Sequence, residues 1–543
     1  MKELIDTAIP SKDFGLVIVV GGRMLIYTTI GLTAGFGMAH FSSIIAMGVG
    51  RNLRSKVYEK VISFSQAEID SFSTSSLITR TNSDINQVQI FLSNCLSIAF
   101  IAPVLCIIGL IMAMITSPSL ACVLAIAVPI LIILIAIIGK YALPLSEIIQ
   151  DKLDQINMVI REKLTGVRVI RAFGTNEFEE KRFDKINMEY TTINKKLQNA
   201  TNFFRPVIVL VLAFVEGGIM FIAFHQNVTA GVAYTTGEVM AVIQYVTMIM
   251  ASIMMMTIVF LLMPRASTCA KRAQEILDSV NEIQSPVNPK DSSSKGYLEF
   301  RNVSFTYAGA DVPAVKDLSF SAKPGEITAI IGGTGMGKSS IVNLIPRLYD
   351  VTQGQVLVDG IDVRDYNLED LRSKIGFVPQ KALLFRGTID SNLAFGDENP
   401  TEERIEEAVK IAQSYDFVTK KEKGFASPVS QGGTNFSGGQ RQRLCIARAI
   451  VRKPEIYVFD DSFSALDFKT DKELRAALRK EAGESATTVI VAQRVSTIMD
   501  ADRIIVIEQG EIAGIGTHAE LLENCTVYRE IVESQMSKEE TGK

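Results

Sequence analysis

The sequence predicts an α-helical transmembrane domain followed by an α/β domain, and three observations support this fold class. Long apolar runs end at Met263 and do not recur later in the 543-residue chain. Short β-branched runs that alternate with helical stretches follow, as is typical of an α/β unit. The composition is 48% hydrophobic and the mean hydropathy is +0.24, which favours a chain that lies partly in lipid. We therefore predict a transmembrane domain at 1–278, a linker at 279–296 and a second domain at 297–543.

Five apolar runs are each long enough to cross a bilayer, which requires about 20 residues. They are Phe14–Val49, Phe91–Ile115, Leu120–Leu143, Phe204–Phe224 and Val239–Met263. The first run continues into a charged helical stretch, so we expect helices that extend beyond the membrane. An odd number of spans with an external N-terminus and no signal peptide is difficult to insert. We therefore expect that a first span is missing from this sequence.

The charges of the connecting segments predict the orientation. Lys and Arg are frequent in the two long connections, at about Arg51–Ile90 and Lys140–Thr201, whereas Thr116–Ser119 and His225–Glu238 contain neither. The positive-inside rule places the long connections, and everything after Met263, in the cytoplasm. The sequence thus predicts a multi-pass protein of the cytoplasmic membrane with a cytoplasmic C-terminal domain.

Net charge and cysteine content argue against two other classes of protein. The chain has 55 Lys+Arg and 59 Asp+Glu, a net charge of −4, so it lacks the positive field that sequence-independent nucleic-acid binding requires. We expect no nucleic-acid partner. The six cysteines are scattered without a CxxC pair, which argues against a zinc site or a disulfide framework.

A glycine-rich segment follows a predicted strand at Ile327–Ile331. The segment Gly332–Ser339 matches G-x-x-x-x-G-K-[ST] between a strand and a helix, the setting of a phosphate-binding loop. Its backbone N–H groups face phosphates, Lys338 neutralises their charge and the Ser339 hydroxyl reaches Mg²⁺. The predicted nucleotide-binding residues of this region are Gly332, Gly333, Thr334, Gly335, Met336, Gly337, Lys338, Ser339 and Ser340.

A second nucleotide-site element is the apolar run Ile456–Phe459, which ends in Asp460 and Asp461. A buried strand that carries a carboxylate at its end holds Mg²⁺ opposite the phosphate loop. We therefore predict Asp460 as a metal ligand. The second domain is accordingly predicted as an α/β P-loop nucleotide-binding domain.

With these motifs in place, the chain resembles the ATP-binding cassette (ABC) family. The segment Asn435–Arg441, Asn-Phe-Ser-Gly-Gly-Gln-Arg, resembles its signature sequence, and the membrane domain resembles its exporter type. The resemblance implies ATP and Mg²⁺ as cofactors and two nucleotide domains paired head to tail, with each ATP between one phosphate loop and the other domain's signature. The site residues that it implies are Tyr307 for adenine stacking, Gln380 of the glutamine loop as a catalytic and metal-contacting residue, Ser437, Gly438, Gly439 and Gln440 of the signature, and Asp467 of the D-loop.

Two catalytic positions depart from the family pattern. Asp461 occupies the position of the general-base Glu, and Gln493 occupies that of a His that contacts the γ-phosphate. Asp withdraws the carboxylate by one methylene, and Gln cannot carry a proton or a positive charge. The segment Pro428–Gly433 before the signature also lacks the acidic residues usual in exporters. We expect ATP to bind here and to be hydrolysed slowly.

An impaired hydrolytic pair beside an intact signature resembles the degenerate half of a heterodimeric exporter. The expected partners are a second ABC half-transporter subunit, the lipid bilayer and a hydrophobic small-molecule, lipid or peptide substrate. Three alternatives remain at this stage. They are an active homodimer that tolerates both departures, a membrane regulator that uses ATP as a switch, and a soluble cassette ATPase, against which the five spans argue.

Two features of the membrane domain are candidates for substrate contacts. Glu216 lies inside an apolar run, where an ionisable group indicates either function or a hydrogen-bonded packing role. A methionine-rich stripe could line an adaptable surface or only pack helices; it comprises Met248, Met250, Met254, Met255 and Met256. We expect the cytoplasmic loops to contact the nucleotide domain near the glutamine loop, at about Ser71–Arg80 and Gly166–Thr175.

Overall fold

The computed structural model describes residues 2–230, 234–292, 294–397 and 399–540, and the chain divides into two compact units. The first unit comprises Met1–Val61 and Ser75–Ser279, and the second comprises Ile62–Thr74 and Val280–Lys543. A short segment of the first cytoplasmic loop therefore belongs to the same unit as the nucleotide domain.

The N-terminal half of the chain is helical. The helices are α1 (Phe14–Ile62), α2 (Gln66–Phe72), α3 (Thr74–Thr79), α4 (Ile85–Thr116), α5 (Pro118–Phe173), α6 (Asn176–Ala230) and α7 (Thr236–Asp278). Short π-helical segments at Leu4–Ala8 and Arg80–Asp84 precede α1 and α4. Of the helices in the described residues, five are long and apolar enough to cross a membrane, which confirms the five predicted spans. The apolar part of α5 ends near Tyr141 and the helix runs on to Phe173, so helices extend beyond the membrane as predicted.

The first unit contains α1 and two closely packed helix pairs, in which α4 packs along α7 and α5 packs along α6. Buried apolar side chains of all four helices, among them Leu124, Ile219 and Ile249, form one cluster. Gly109 allows a close approach between α4 and α7, since a Cβ there would lie 2.8 Å from Ile249 Cγ1. Small residues at helix crossings are typical of membrane bundles, where packing replaces the hydrophobic effect as the driving force.

The second unit contains two large sheets and a short two-stranded ladder. An antiparallel sheet has the order β2-β1-β4-β5, a mainly parallel sheet has the order β12-β11-β3-β10-β9-β6, and β7 pairs with β8. The strands are β1 (Leu298–Phe305), β2 (Val315–Ala322), β3 (Ile327–Gly332), β4 (Gln353–Val358), β5 (Ile361–Asp362), β6 (Ile375–Val378), β7 (Gly387–Thr388), β8 (Pro428–Val429), β9 (Ile456–Asp460), β10 (Thr487–Val491), β11 (Arg503–Glu508) and β12 (Glu511–Gly516).

Helices cover the parallel sheet and complete the α/β fold. They are α8 (Lys338–Leu344), α9 (Leu368–Ser373), α10 (Ile389–Leu393), α11 (Glu402–Ile411), α12 (Tyr415–Thr419), α13 (Gly438–Val451), α14 (Phe468–Ala482), α15 (His518–Asn524) and α16 (Thr526–Glu540). Two apolar cores form on opposite faces of the parallel sheet, because successive side chains of β3 alternate between them: Ala329 and Ile331 point to one core, and Ile330 points to the other. The carboxyl ends of β3, β6, β9 and β10 meet at one edge, where α/β folds bind their ligands.

Candidate nucleotide site

The loop between β3 and α8 has the backbone of a phosphate cradle. Gly335 and Gly337 have positive φ angles of +81° and +84°, which residues with a Cβ adopt only with strain. A Cβ on Gly332 would collide with the carbonyl oxygen of Ile507 on the adjacent β11. The glycines of the motif are thus required by the loop's conformation and by its packing against the sheet. We call Gly332–Ser339 the phosphate loop.

Lys338 is folded back into the phosphate loop. Its side chain is buried, and its Nζ donates hydrogen bonds to the carbonyl oxygens of Gly332 at 2.9 Å and Gly333 at 2.7 Å. Burial lowers the pKa of Lys338, while the nearby carboxylates of Asp461 and Asp460 oppose that shift. A bound triphosphate would offer this partly desolvated ammonium the negative charge that it lacks.

Two oxygen ligands for a hard cation meet beside the phosphate loop. The Ser339 hydroxyl donates a hydrogen bond to Asp460 Oδ1 at 3.1 Å. Burial raises the pKa of Asp460, and so does the charge of the adjacent Asp461, whereas the Ser339 hydrogen bond opposes the shift. A hydroxyl and a carboxylate in this arrangement fit Mg²⁺, which binds through one or two protein oxygens and substrate phosphates. The residues present therefore fit MgATP, and Ser339 and Asp460 would hold the metal.

The three predicted catalytic residues lie together, with both glutamines bonded to the carboxylate of Asp461. Asp461 Oδ2 accepts hydrogen bonds from Gln493 Nε2 at 2.8 Å and from Gln380 Nε2 at 3.4 Å. Gln380 reaches it from the loop after β6 and Gln493 from the loop after β10. Asp461 has a positive φ of 45°, which directs its side chain toward these amides and not along the strand. Burial raises the pKa of Asp461, against the hydrogen bond from Gln380 and the charge of Lys338.

An aromatic cluster lies beside α8. The hydroxyls of Tyr307 and Ser340 are 2.9 Å apart, so one donates a hydrogen bond to the other. The Tyr307 ring packs edge to face against Phe305 and Tyr349, with centroids 4.7 and 5.4 Å away. Tyr307 remains 38% exposed, which leaves part of its ring free to stack on a base.

The signature residues form a separate surface. Ser437 caps α13 in a capping box with Gln440, and Asp467 caps α14 by accepting a hydrogen bond from the Thr470 N–H at 3.0 Å. A Cβ on Gly439 would meet the Ala465 carbonyl oxygen at 3.1 Å, so the signature and D-loop segments are neighbours. Within the part of the chain described, no hydrogen bond joins Ser437–Gln440 to the phosphate loop. Ser437 and Gly438 are exposed on this surface.

Helix α2 of the first cytoplasmic loop is bonded to the nucleotide domain. Glu68 is buried and its Oε1 accepts the Glu282 N–H at 2.9 Å, and Asp70 Oδ2 accepts the Tyr349 hydroxyl at 3.0 Å. The contact thus begins before the predicted segment Ser71–Arg80. Arg80 pairs with Glu275 at 2.6 Å inside the first unit, and the C-terminal part of the predicted segment stays a prediction. The second segment, Gly166–Thr175, ends α5 in the first unit and stays a prediction.

The bond between Tyr349 and Asp70 predicts a mutational effect. Tyr349→Phe keeps the ring but removes the hydroxyl that holds α2, and a hydrogen bond to a charged group contributes about 1.5–3 kcal/mol. We expect faster amide exchange across Gln66–Phe72, measured by mass spectrometry on the full chain, with ATP affinity unchanged. Asp70→Asn is the matched control, because its amide oxygen still accepts the bond. Equal exchange in Tyr349→Phe and the unmodified chain would contradict this assignment.

A membrane domain of long helices and a P-loop ATPase domain with an exposed signature segment together define an ATP-driven membrane transporter. Comparison with known families agrees: residues 1–253 match the ABC transporter transmembrane region and residues 315–464 match the ABC transporter family. The chain belongs to the ABC transporter family, as an ATPase-coupled exporter of the cytoplasmic membrane with its nucleotide-binding domain inside.

Relatives and a solved structure span almost the whole chain. It is 39% identical over 98% of its length, and 92% of the relative's, to an uncharacterised ABC transporter ATP-binding protein of Mycobacterium tuberculosis. It is 32% identical over 99% of its length to the ATP-dependent lipid A-core flippase of Escherichia coli, covering 92% of that protein. A bacterial Atm1-family ABC exporter with ATP bound has a similar fold, with a TM-score of 0.82, 24% identity, and coverage of 98% of this chain and 94% of that chain.

Two residues near the site carry no signal in the sequence. Tyr349 follows α8 in an irregular segment, and Gln535 lies in α16, 42 residues after Gln493, whose carbonyl it contacts. Neither belongs to a motif, and their contacts depend on tertiary folding. No periodicity or spacing could have found them.

Proposed function

We propose that this chain is the degenerate-site half of a heterodimeric ABC exporter that moves hydrophobic or amphiphilic substrates out across the cytoplasmic membrane. The observation that carries the proposal is the environment of Asp461. Its carboxylate is buried and accepts hydrogen bonds from two neutral amides, those of Gln493 and Gln380. The residues that would have to activate water here thus differ in both length and charge from the family's Glu and His.

The geometry supports slow hydrolysis with retained binding. Lys338, Ser339 and Asp460 would hold MgATP, and none of them departs from the family motif. MgATP would supply a phosphoryl group activated by the metal, and the chain would have to position water and accept its proton. Asp461 ends one methylene short of a Glu, and a misplacement of about 1 Å can cost on the order of 10²-fold in rate. Gln493 can donate a hydrogen bond to phosphate but offers no positive charge.

The signature surface supports the other half of the proposal. ABC exporters act as dimers in a membrane, and this chain's Ser437–Gln440 would complete the partner's ATP site. Ser437 ends its loop in a capping box that leaves the N-terminus of α13 well formed. Beyond its own helix, a Cβ on Gly438 would have no neighbour within 4 Å in the described part of the chain, so a partner's nucleotide could approach this face. A helix N-terminus of this kind attracts phosphate.

The proposed substrate class is an amphiphile with a large apolar part. The similar Escherichia coli protein is named as a lipid A-core flippase, which favours a lipid over a peptide for this chain. Glu216 lies half-buried on α6 between core residues Val215 and Ile219, and could contact a polar or cationic group. In the proposed methionine surface, Met250 is buried in the core, whereas Met254 and Met255 are exposed.

Two substitutions in this chain test the asymmetry. The full chain is co-expressed with a half-transporter that carries Glu and His at the two altered positions. Gly438→Asp fills the open signature face with a negative charge, which a helix N-terminus tolerates, and should lower the ATPase of the mixed dimer about 10²-fold by repelling the partner's phosphates. Asp461→Asn should change it less than about twofold, because this chain's own site contributes little turnover.

The other assignments give different results in the same assay. An active homodimer would hydrolyse ATP at transporter rates when the chain is purified alone, and Asp461→Asn would abolish that activity. A membrane regulator would bind ATP in the mixed dimer without moving a fluorescent lipid across vesicle membranes. Either result would replace the heterodimeric assignment.

A further inference from the structure

The C-terminal helix is bonded to the loop that carries Gln493. We call residues Ala492–Thr497, which follow β10, the switch loop. Gln535 of α16 donates from Nε2 to the Gln493 carbonyl oxygen at 2.7 Å, and its Oε1 accepts the Val495 N–H at 2.8 Å. One side-chain amide thus satisfies a backbone acceptor and a backbone donor two residues apart, as a neighbouring strand would.

Helix α16 is fixed strongly enough to act as a support. Tyr528 is fully buried and Val532 is nearly so, both in the core that also contains Val495 and Ile498 of the adjoining segment. The Tyr528 hydroxyl lies 2.7 Å from His518 Nδ1, which ties α16 to α15. Gln535 is three residues beyond Val532 on this anchored helix, so ordering its side chain costs little beyond its own rotamer entropy.

We propose that Gln535 is a positioning residue that holds the switch loop so that Gln493 stays on Asp461. The proposal rests on the proposed role of the Asp461–Gln493 pair at the ATP site and adds that the C-terminal helix sets its geometry. Gln493 is the link, because its carbonyl is held by Gln535 while its Nε2 bonds Asp461 Oδ2 at 2.8 Å. Both described hydrogen bonds of Gln535 go to backbone atoms of the switch loop and neither goes to Asp461 or the phosphate loop, so we infer that it acts through the backbone.

The positions of the two bonds determine which movements of the switch loop are prevented. They fix the backbone on both sides of Arg494, so the switch loop cannot shift along or away from the sheet edge without breaking at least one of them. Release of the loop would move the Gln493 amide from Asp461 and change the position of the carboxylate relative to the γ-phosphate. Nucleotide binding depends on Lys338 and Tyr307, which make no described contact with α16, and should be retained.

Three variants of the full chain test the proposal. Gln535→Ala removes both bonds, whereas Gln535→Glu keeps an acceptor for the Val495 N–H and loses the donor to Gln493. Glu533→Gln, an exposed change on the same helix, is the matched control. Each is made in the unmodified chain and in the chain that carries Asp461→Glu and Gln493→His. The second chain keeps both bonds of Gln535, because they go to backbone atoms and not to the substituted side chains. The measurements are kcat and KM for ATP and the amide exchange of the peptide containing Val495.

Gln535→Ala should lower kcat about tenfold with KM changed less than about twofold, the pattern of a lost positioning interaction. It should also speed exchange at Val495 about fivefold or more, as expected when one hydrogen bond is lost. Gln535→Glu should lower kcat similarly while Val495 stays protected. An unchanged kcat in Gln535→Ala, or an equal fall in Glu533→Gln, would overturn the proposal. If Asp461→Glu with Gln493→His does not speed hydrolysis, the result counts against the proposed degenerate-site function. The effect of Gln535→Ala can still be judged in that case, because it is measured against the matching parent chain.

Discussion

Replacing Asp461 with Glu and Gln493 with His in the same chain should raise the ATP hydrolysis rate of the chain purified alone by about 10²-fold. The added methylene advances the carboxylate toward the attacking water, and the imidazole adds a group that can carry charge beside the γ-phosphate. The phosphate loop, Ser339 and Asp460 match the family motifs, so the change is confined to the two catalytic positions that depart from them. The rate is measured as phosphate release at saturating MgATP in lipid nanodiscs.

The single substitutions separate the two contributions. Asp461→Glu alone should recover most of the rate, because a general base is a larger deficit than a missing hydrogen-bond partner. Gln493→His alone should gain little, since its new charge would pair with an Asp461 that still falls short of the water. Asp461→Asn in the His background is the matched control without a carboxylate, and it should not gain. If the double variant hydrolyses no faster than the starting chain, the two departures do not limit this site.

The parts of the fold that sequence patterns predicted are those set by local chemistry. The five apolar runs became five long helices because lipid requires every backbone group to bond within its own segment. The phosphate loop requires glycines at particular φ angles, so its sequence identifies its shape before any packing is known. The strand predicted at Ile456–Phe459 extends one residue further, to Asp460, because its hydrogen-bonded ladder with β10 includes that residue.

The parts that were not predicted depend on contacts between distant segments. Glu68 and Asp70 lie in a charged stretch whose pattern indicates only an exposed helix, yet Glu68 is buried against the Glu282 backbone. The position of that contact is set by the three-dimensional path of the chain and not by a local motif. The same holds for Gln535, which reaches the switch loop across 40 residues or more of sequence. Motif spacing thus identified the chemistry of the site but not the residues that hold it in place.

Gly337→Ala should strongly weaken ATP binding, because it disturbs the conformation of the phosphate loop. Gly337 is the N-cap of α8 with a φ of +84°, and an added Cβ would collide with the Ala314 carbonyl oxygen and lie 3.2 Å from Val315 Cγ2. Val315 begins β2 and is paired with β1. The backbone at Ala314 and Val315 therefore cannot move away from the added Cβ without breaking the antiparallel sheet. The strained backbone alone costs about 1–3 kcal/mol. With the collision added, the dissociation constant for ATP should rise by about 10²-fold or more.

Gly335→Ala is the control that separates strain from collision. Gly335 has nearly the same φ, +81°, but among the described residues, its chain neighbours aside, no atom lies within 4 Å of the position its Cβ would take. Without nucleotide, Gly337→Ala should therefore lower the thermal midpoint of the full chain clearly more than Gly335→Ala. ATP affinity is measured by titration with a fluorescent analogue. Equal thermal midpoints for the two variants would mean that the backbone at Ala314 moves away from the added Cβ. The close packing against β2 would then not determine the shape of the phosphate loop.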